Sequence, residues 1–236
     1  MRPTTLAKQE PCPSRRARFV RGAGLGLPIF LGYLPIGAAF GVVARGLGFS
    51  ALQAIGCSAT VLAGAGQLIA LKLIEAGASV LAVVVTTSVV NLRYVLFGAA
   101  MSPHVTGLPL AGQAYLAFTL TDETFAVNID DNRKRTADAW SMAGVGAIAW
   151  TGWVLGTAVG ALAAGAIGDP TRFGVQFAMP AMFAALLVAQ AEDRRHVSVA
   201  VLAAVLAAVL MIALPEPWYL IAAPMLAATI ATVVDR

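Results

Sequence analysis

Charge is the scarcest property of this sequence. Only 12% of its 236 residues are Asp, Glu, Lys or Arg, while 59% are hydrophobic and the mean hydropathy is +0.80. A soluble domain carries about twice that share of charge, so a water-soluble fold is excluded and the chain reads as an all-α integral membrane protein. Cysteine is nearly absent: Cys12 lies in a polar stretch and Cys57 in an apolar one, which implies neither a disulfide framework nor a metal site. Histidine is equally rare. His104 and His196 are expected in loops on opposite sides of a membrane, which excludes a shared metal or triad site. There is no GxxxxGK[ST] phosphate loop, and Asp122 is the one aspartate placed well within a span, whereas intramembrane aspartyl proteolysis needs two that face each other. The chain is therefore expected to be no enzyme and to need no cofactor. Its net charge of +4 comes from basic residues at segment ends, where topology requires them, so no nucleic-acid partner is expected.

What fills the chain instead is apolar runs of membrane length. Residues 1–21 carry Arg2, Lys8, Arg15, Arg16, Arg18 and Arg21 against Glu10, with Pro3, Pro11 and Pro13, and read as a disordered basic tail in the cytoplasm. The rest, 22–236, reads as a single transmembrane domain with runs at about 22–44, 50–71, 78–101, 112–129, 139–164, 173–191, 197–214 and 217–234. Eight crossings result, or seven if the fourth run re-enters. With eight, Lys72, Arg133 to Arg135, Arg194, Arg195 and Arg236 share the side of the tail, Arg45 and Arg172 lie opposite, and both termini are cytoplasmic. Trp218 and Tyr219 suit an outer-interface aromatic belt.

Proline and glycine mark several runs as imperfect helices. Pro28 and Pro35, among Gly24, Gly26, Gly32, Gly37 and Gly41, predict a kink or break near Gly32 to Pro35, because proline removes a donor and clashes with the preceding turn. Pro180 and Pro224 offer further breaks. Gly152, Gly156 and Gly160, four apart, line one helix face and read as a packing stripe; Trp150 and Trp153 beside them read as packing residues. Ala63-Gly64-Ala65-Gly66-Gln67 combines small residues that permit close backbone approach with one polar amide.

Within this apolar frame a few polar groups need a reason to be there. Arg93 ends the seam Thr86-Thr87-Ser88-Val89-Val90-Asn91-Leu92-Arg93, and a charge near the centre of a span costs roughly 2.5–3.5 kcal/mol. Asp122 and Glu123 fall about ten residues into the fourth run. Adjacent residues point about 100° apart on a helix, so one acid can face a cavity while the other needs a different partner, which for either could be Arg93. Asn91 and Arg93, two apart, reach one site only if their helix is distorted.

The order of four segments resembles the AzlC-type branched-chain amino acid exporter family: Tyr33-Leu34-Pro35-Ile36-Gly37-Ala38-Ala39-Phe40-Gly41, then Ala63-Gly64-Ala65-Gly66-Gln67, then Asn91-Leu92-Arg93-Tyr94, then Thr121-Asp122-Glu123-Thr124-Phe125. The resemblance covers roughly residues 20 to 190. It implies a bacterial inner-membrane efflux permease for leucine, isoleucine, valine and often methionine, the large subunit beside a small AzlD-type membrane subunit of about four spans. Tyr94 departs from the pattern, standing where the family often has histidine, which puts in doubt any proton relay there.

Residues and resemblance give one expected mechanism. Arg93 takes the substrate carboxylate in a bidentate fork. Asp122 or Glu123, Asn91 and freed carbonyls near Pro35 or Gly66 take its ammonium, and Gln67, Gly37 and Gly64 are also expected among the substrate-binding residues. Phe40 and Phe125 line the aliphatic pocket, and Asp122 or Glu123 carries the coupling proton. Transport of another small zwitterion or carboxylate, a non-transporting scaffold role, and a homo-oligomeric assembly stay open on the sequence.

Overall fold

The computed structural model describes residues 13–134, 138–167, 188, 194–213 and 218–234. They are α-helical and fall into two compact units, Met1–Val175 and Gln176–Arg236. The helices of the first are α1 (Arg15–Leu25), α2 (Leu27–Gly46), α3 (Ala51–Thr60), α4 (Gly64–Glu75), α5 (Val80–Asn91), α6 (Arg93–Val105), α7 (Leu110–Phe118), α8 (Asp122–Lys134) and α9 (Ala139–Ile167). In the second, α10 (Arg194–Ala213) and α11 (Trp218–Val234) pack on each other. The sixth run, 173–191, and its Pro180 lie outside the described residues apart from position 188. Three stretches are long and apolar enough to cross a bilayer among the described residues: Leu27–Gly46, Val80–Val105 and Ala139–Gly165.

Glycine spacing builds the spine of the first unit. The stripe Gly152, Gly156 and Gly160 on α9 meets the backbone of Phe30, Leu34 and Ala38 on α2, and Gly37 and Gly41 of α2 return the fit against Trp153, Thr157 and Ala161. Two small-residue faces let the helix axes approach until main chains touch, the packing mode that works where burial from water supplies little drive. Ser58 on α3 joins this core through a 2.7 Å hydrogen bond to the fully buried Thr157.

Two expectations are corrected. The basic segment is not disordered from Arg15 onward: Ser14 caps α1 by accepting from the Ala17 N–H, and Gly22 is buried against Ser141 of α9. Arg18 pairs with Asp138, and Arg21 with Asp131 through both guanidinium nitrogens at 2.8 Å, so the basic residues tie α1 down. The first run is also unbroken at Gly32 to Pro35; α2 continues through Pro35, and the interruption comes earlier, at Gly26, with Pro28 in the first turn of α2. Packing against α9 holds this helix despite the missing donor. The second, third and fourth runs divide as well, and none of these has a proline at the division. Neither does Pro224 interrupt α11.

Candidate functional site

Three interrupted helices supply the polar groups. Between α3 and α4 the chain is extended at Val61 (φ −130°, ψ 112°) and irregular at Ala63. The Trp150 indole N–H donates to the freed carbonyl of Ala59 at 3.0 Å. At Leu92 the α5–α6 span tightens: Leu92 N–H bonds Val89 and Val95 N–H bonds Leu92, both three residues back, the spacing of a 3₁₀ turn. Between α7 and α8 the chain breaks at Thr119 to Thr121. The Thr124 hydroxyl accepts from Thr121 N–H at 2.8 Å and donates to the Thr119 carbonyl at 2.9 Å, so side chains replace the lost helical bonds.

The breaks bring Arg93 and Asp122 together. Arg93 opens α6 and Asp122 opens α8, and Arg93 Nη2 lies 3.0 Å from Asp122 Oδ2. One turn further along both helices, Phe97 and Phe125 stack with ring centroids 4.5 Å apart. The two contacts follow the same order along both helices, with the ion pair at the first residue of each. The guanidinium also lies 5.3 Å from the Tyr94 ring centroid. Two atoms there are buried without a partner, the Arg93 Nε donor and the Asn91 Oδ1 acceptor. Asn91 is placed by Gly66: a side chain at that glycine would sit 3.0 Å from Asn91 Nδ2.

Glu123 takes a different partner from its neighbour. The Tyr33 hydroxyl on α2 lies 2.5 Å from Glu123 Oε2 and 2.9 Å from Thr121 Oγ1. Its single proton serves the carboxylate, and the Thr121 hydroxyl can supply the other. The Tyr33 ring meets Trp153 edge-on at 5.5 Å. Trp153 Nε1 donates to Gln67 Oε1 at 2.9 Å, and Gln67 Nε2 donates to Cys57 Sγ at 3.3 Å. A continuous path thus runs from Glu123 to the α3–α4 break.

Of the residues expected at the site, Arg93, Asp122, Asn91, Gly66, Glu123, Gln67 and Phe125 fall on this connected set. Gly64 lies against the indole of Trp153, Gly37 against the α9 backbone, and Phe40 is buried with its ring 6.2 Å from Trp153; Pro35 is on the exposed side of α2. The structure gives Gly37, Gly64 and Phe40 the neighbours of packing residues. Tyr33 and Phe97 are not among the residues expected at the site, and Trp153 is expected only as a packing residue, although the polar hydroxyl of Tyr33 within an apolar run is a signal of the same kind as Gln67. The histidines fall in helix, not loop: His104 ends α6 and His196 begins α10. Among the described residues no three His, Cys, Asp or Glu gather as metal ligands.

The family model described as AzlC protein matches residues 28–167, more than half of the chain and all of α2 to α9 except Leu27. The chain belongs to the AzlC family. The AzlC chain is 33% identical over 214 residues to the inner membrane protein YgaZ of Escherichia coli strain K12, covering 87% of this chain and 86% of that protein. It is 30% identical over 177 residues to the branched-chain amino acid transport protein AzlC of Bacillus subtilis strain 168, covering 73% and 68%. To a membrane protein of Archaeoglobus fulgidus it is 31% identical over 190 residues, covering 80% and 82%. No solved structure matches. This AzlC chain is thus a multi-pass, all-helical membrane transport protein of the inner-membrane type.

Proposed function

We propose that the chain is the large permease subunit of a two-component exporter that carries leucine, isoleucine, valine and methionine out of a bacterial cell. Arg93, Asn91, Asp122, Gly66 and Phe125 hold the substrate, a proton on Asp122 or Glu123 couples the movement, and both termini face the cytoplasm. The observation that supports this most directly is the surroundings of the Arg93–Asp122 pair. A buried donor at Arg93 Nε and a buried acceptor at Asn91 Oδ1, each without a partner, flank two opposite charges; together they complement a zwitterion. An incoming amino acid gives its carboxylate to Arg93 and its ammonium to Asp122 and Asn91. The ion pair between Arg93 and Asp122 spares either group an uncompensated charge in the membrane. The Bacillus subtilis relative, a branched-chain amino acid transport protein, supports the substrate class.

The test is flux. Proteoliposomes holding the chain, with and without an AzlD-type subunit, are loaded with labelled leucine and given a pH gradient. Wild type moves leucine down the imposed drive. Arg93→Lys and Asp122→Asn each lose one charge-assisted contact, of about 1.5–3 kcal/mol, and slow transport by roughly ten- to a hundredfold. If both variants insert and export leucine at wild-type rates, the assignment is wrong.

A further inference from the structure

The geometry points to the stacked Phe97–Phe125 pair as the element that sets which amino-acid side chain the carrier accepts, and this rests on the zwitterion reading of the Arg93–Asp122 level. Phe97 follows Arg93 by four residues on α6, and Phe125 follows Asp122 by three on α8, so the aromatic contact lies one turn beyond the ionic one on the same facing surfaces. At 1.5 Å per residue the two levels are separated by ~4.5–6 Å. That is about the reach of an amino acid from its α-carboxylate to the end of a leucine side chain. A substrate held by its head group at the ionic level therefore places its γ and δ carbons at the ring level.

The rings suit that task. Their centroids are 4.5 Å apart with planes 17° from parallel, a rigid wall of few rotamers whose members hold each other in place. Both side chains are half-buried, so each keeps a flank that a small apolar group can cover. Tyr94 stands 6.2 Å from Phe97 and closes one side while covering the guanidinium. Met101 continues the Arg93–Phe97 face by another turn and is buried, so the next turn of that face is already packed. A branched aliphatic chain can rest on the free ring flanks, whereas a substrate phenyl or indole ring requires the stack to open. Phe97 and Phe125 are then specificity-determining residues that act on the side chain and leave the head-group contacts untouched.

The experiment is leucine counterflow in proteoliposomes, inhibited by unlabelled glycine, alanine, valine, leucine, phenylalanine and tryptophan, for wild type, Phe97→Ala, Phe97→Leu and Phe125→Leu. Wild type ranks leucine well ahead of phenylalanine. Each variant improves phenylalanine relative to leucine by about tenfold, the scale at which a pocket distinguishes apolar groups, with glycine competing as before. Unchanged ranking in the leucine variants, or one common loss for every amino acid including glycine, would overturn the inference. Absence of leucine counterflow by the wild type would instead remove the reading on which it rests.

Discussion

Replacing Gly37 by alanine should loosen the molecule at the contact on which its site depends. A Cβ there would lie 2.7 Å from the Trp153 carbonyl oxygen, 3.1 Å from Thr157 N and 3.3 Å from Gly156 Cα. All three are main-chain atoms of α9, so no flexible side-chain end can yield. Ordinary contact begins near 3.4 Å, and α2 must therefore withdraw by about 0.7 Å. Overpacking of this kind costs typically about 1–3 kcal/mol, and a gap of that size forfeits a quarter to a half of the attraction of the atoms on either side. Alanine's better helix propensity returns up to about 1 kcal/mol, leaving a net loss of up to about 2 kcal/mol. Gly32, on the same helix, has nothing within 4 Å of a built Cβ, so Gly32→Ala keeps the propensity gain without the clash. The two substitutions share that gain and should thus differ by the clash alone, about 1–3 kcal/mol in reversible unfolding from matched micelles. Because Tyr33 shares α2 and meets Trp153 of α9, Gly37→Ala should also weaken the Tyr33–Glu123 hydrogen bond and slow leucine flux. Equal stability for the two variants would refute the reading of Gly37 as a close-packing residue.

Two more outcomes follow from polar contacts elsewhere. Trp153→Phe keeps an aromatic ring for Tyr33 but leaves the buried Gln67 Oε1 without its 2.9 Å donor; it should cost about 1–3 kcal/mol, with Trp153→Phe combined with Gln67→Leu costing less than the sum of the two, and additive losses would contradict the pairing. Arg21 is held ionised above its usual range, chiefly by its hydrogen bond to Asp131, so its folded pKa exceeds the unfolded one and the stabilisation is fully present below the unfolded value, lost only as pH rises through the arginine range. Arg21→Lys should therefore lose a constant increment between about pH 6 and 9. That increment is roughly 0.5–1 kcal/mol, given that a third of the arginine side chain is exposed, and should shrink at about 1 M salt; melting curves over pH and salt check both.

The sequence showed the spine more clearly than the breaks. A four-residue glycine period translates directly into a packing face, and Gly152, Gly156 and Gly160 meet α2 as that period demands. Intramembrane charge was equally legible: Arg93, Asp122 and Glu123 stand out by cost alone, and they gather. The positions of the breaks were not legible from proline. Pro35 removes one donor from α2, yet α9 packs along this helix and holds it. The chain opens where other groups take over the backbone, as Thr124 does for Thr119 and Thr121 and Trp150 for Ala59. The threonines near Asp122 carry a local signal of that kind, since Thr121 and Thr124 stand three apart on either side of the acidic pair Asp122 and Glu123. The Trp150 bond spans 91 positions and had no local signal. Helix α1 was missed because its basic residues were weighed without Asp131 and Asp138, which reach them only in the fold.

The turn at Leu92 has a consequence for distance. It cuts the 26-residue stretch Val80–Val105 into helices of 12 and 13 residues, ~18 and ~20 Å long, each close to the thickness of one leaflet of a ~30 Å hydrocarbon core. Arg93 is then nearly equidistant from the two ends of that stretch, the level at which a charge costs most, and the Asp122 carboxylate 3.0 Å away offsets that cost.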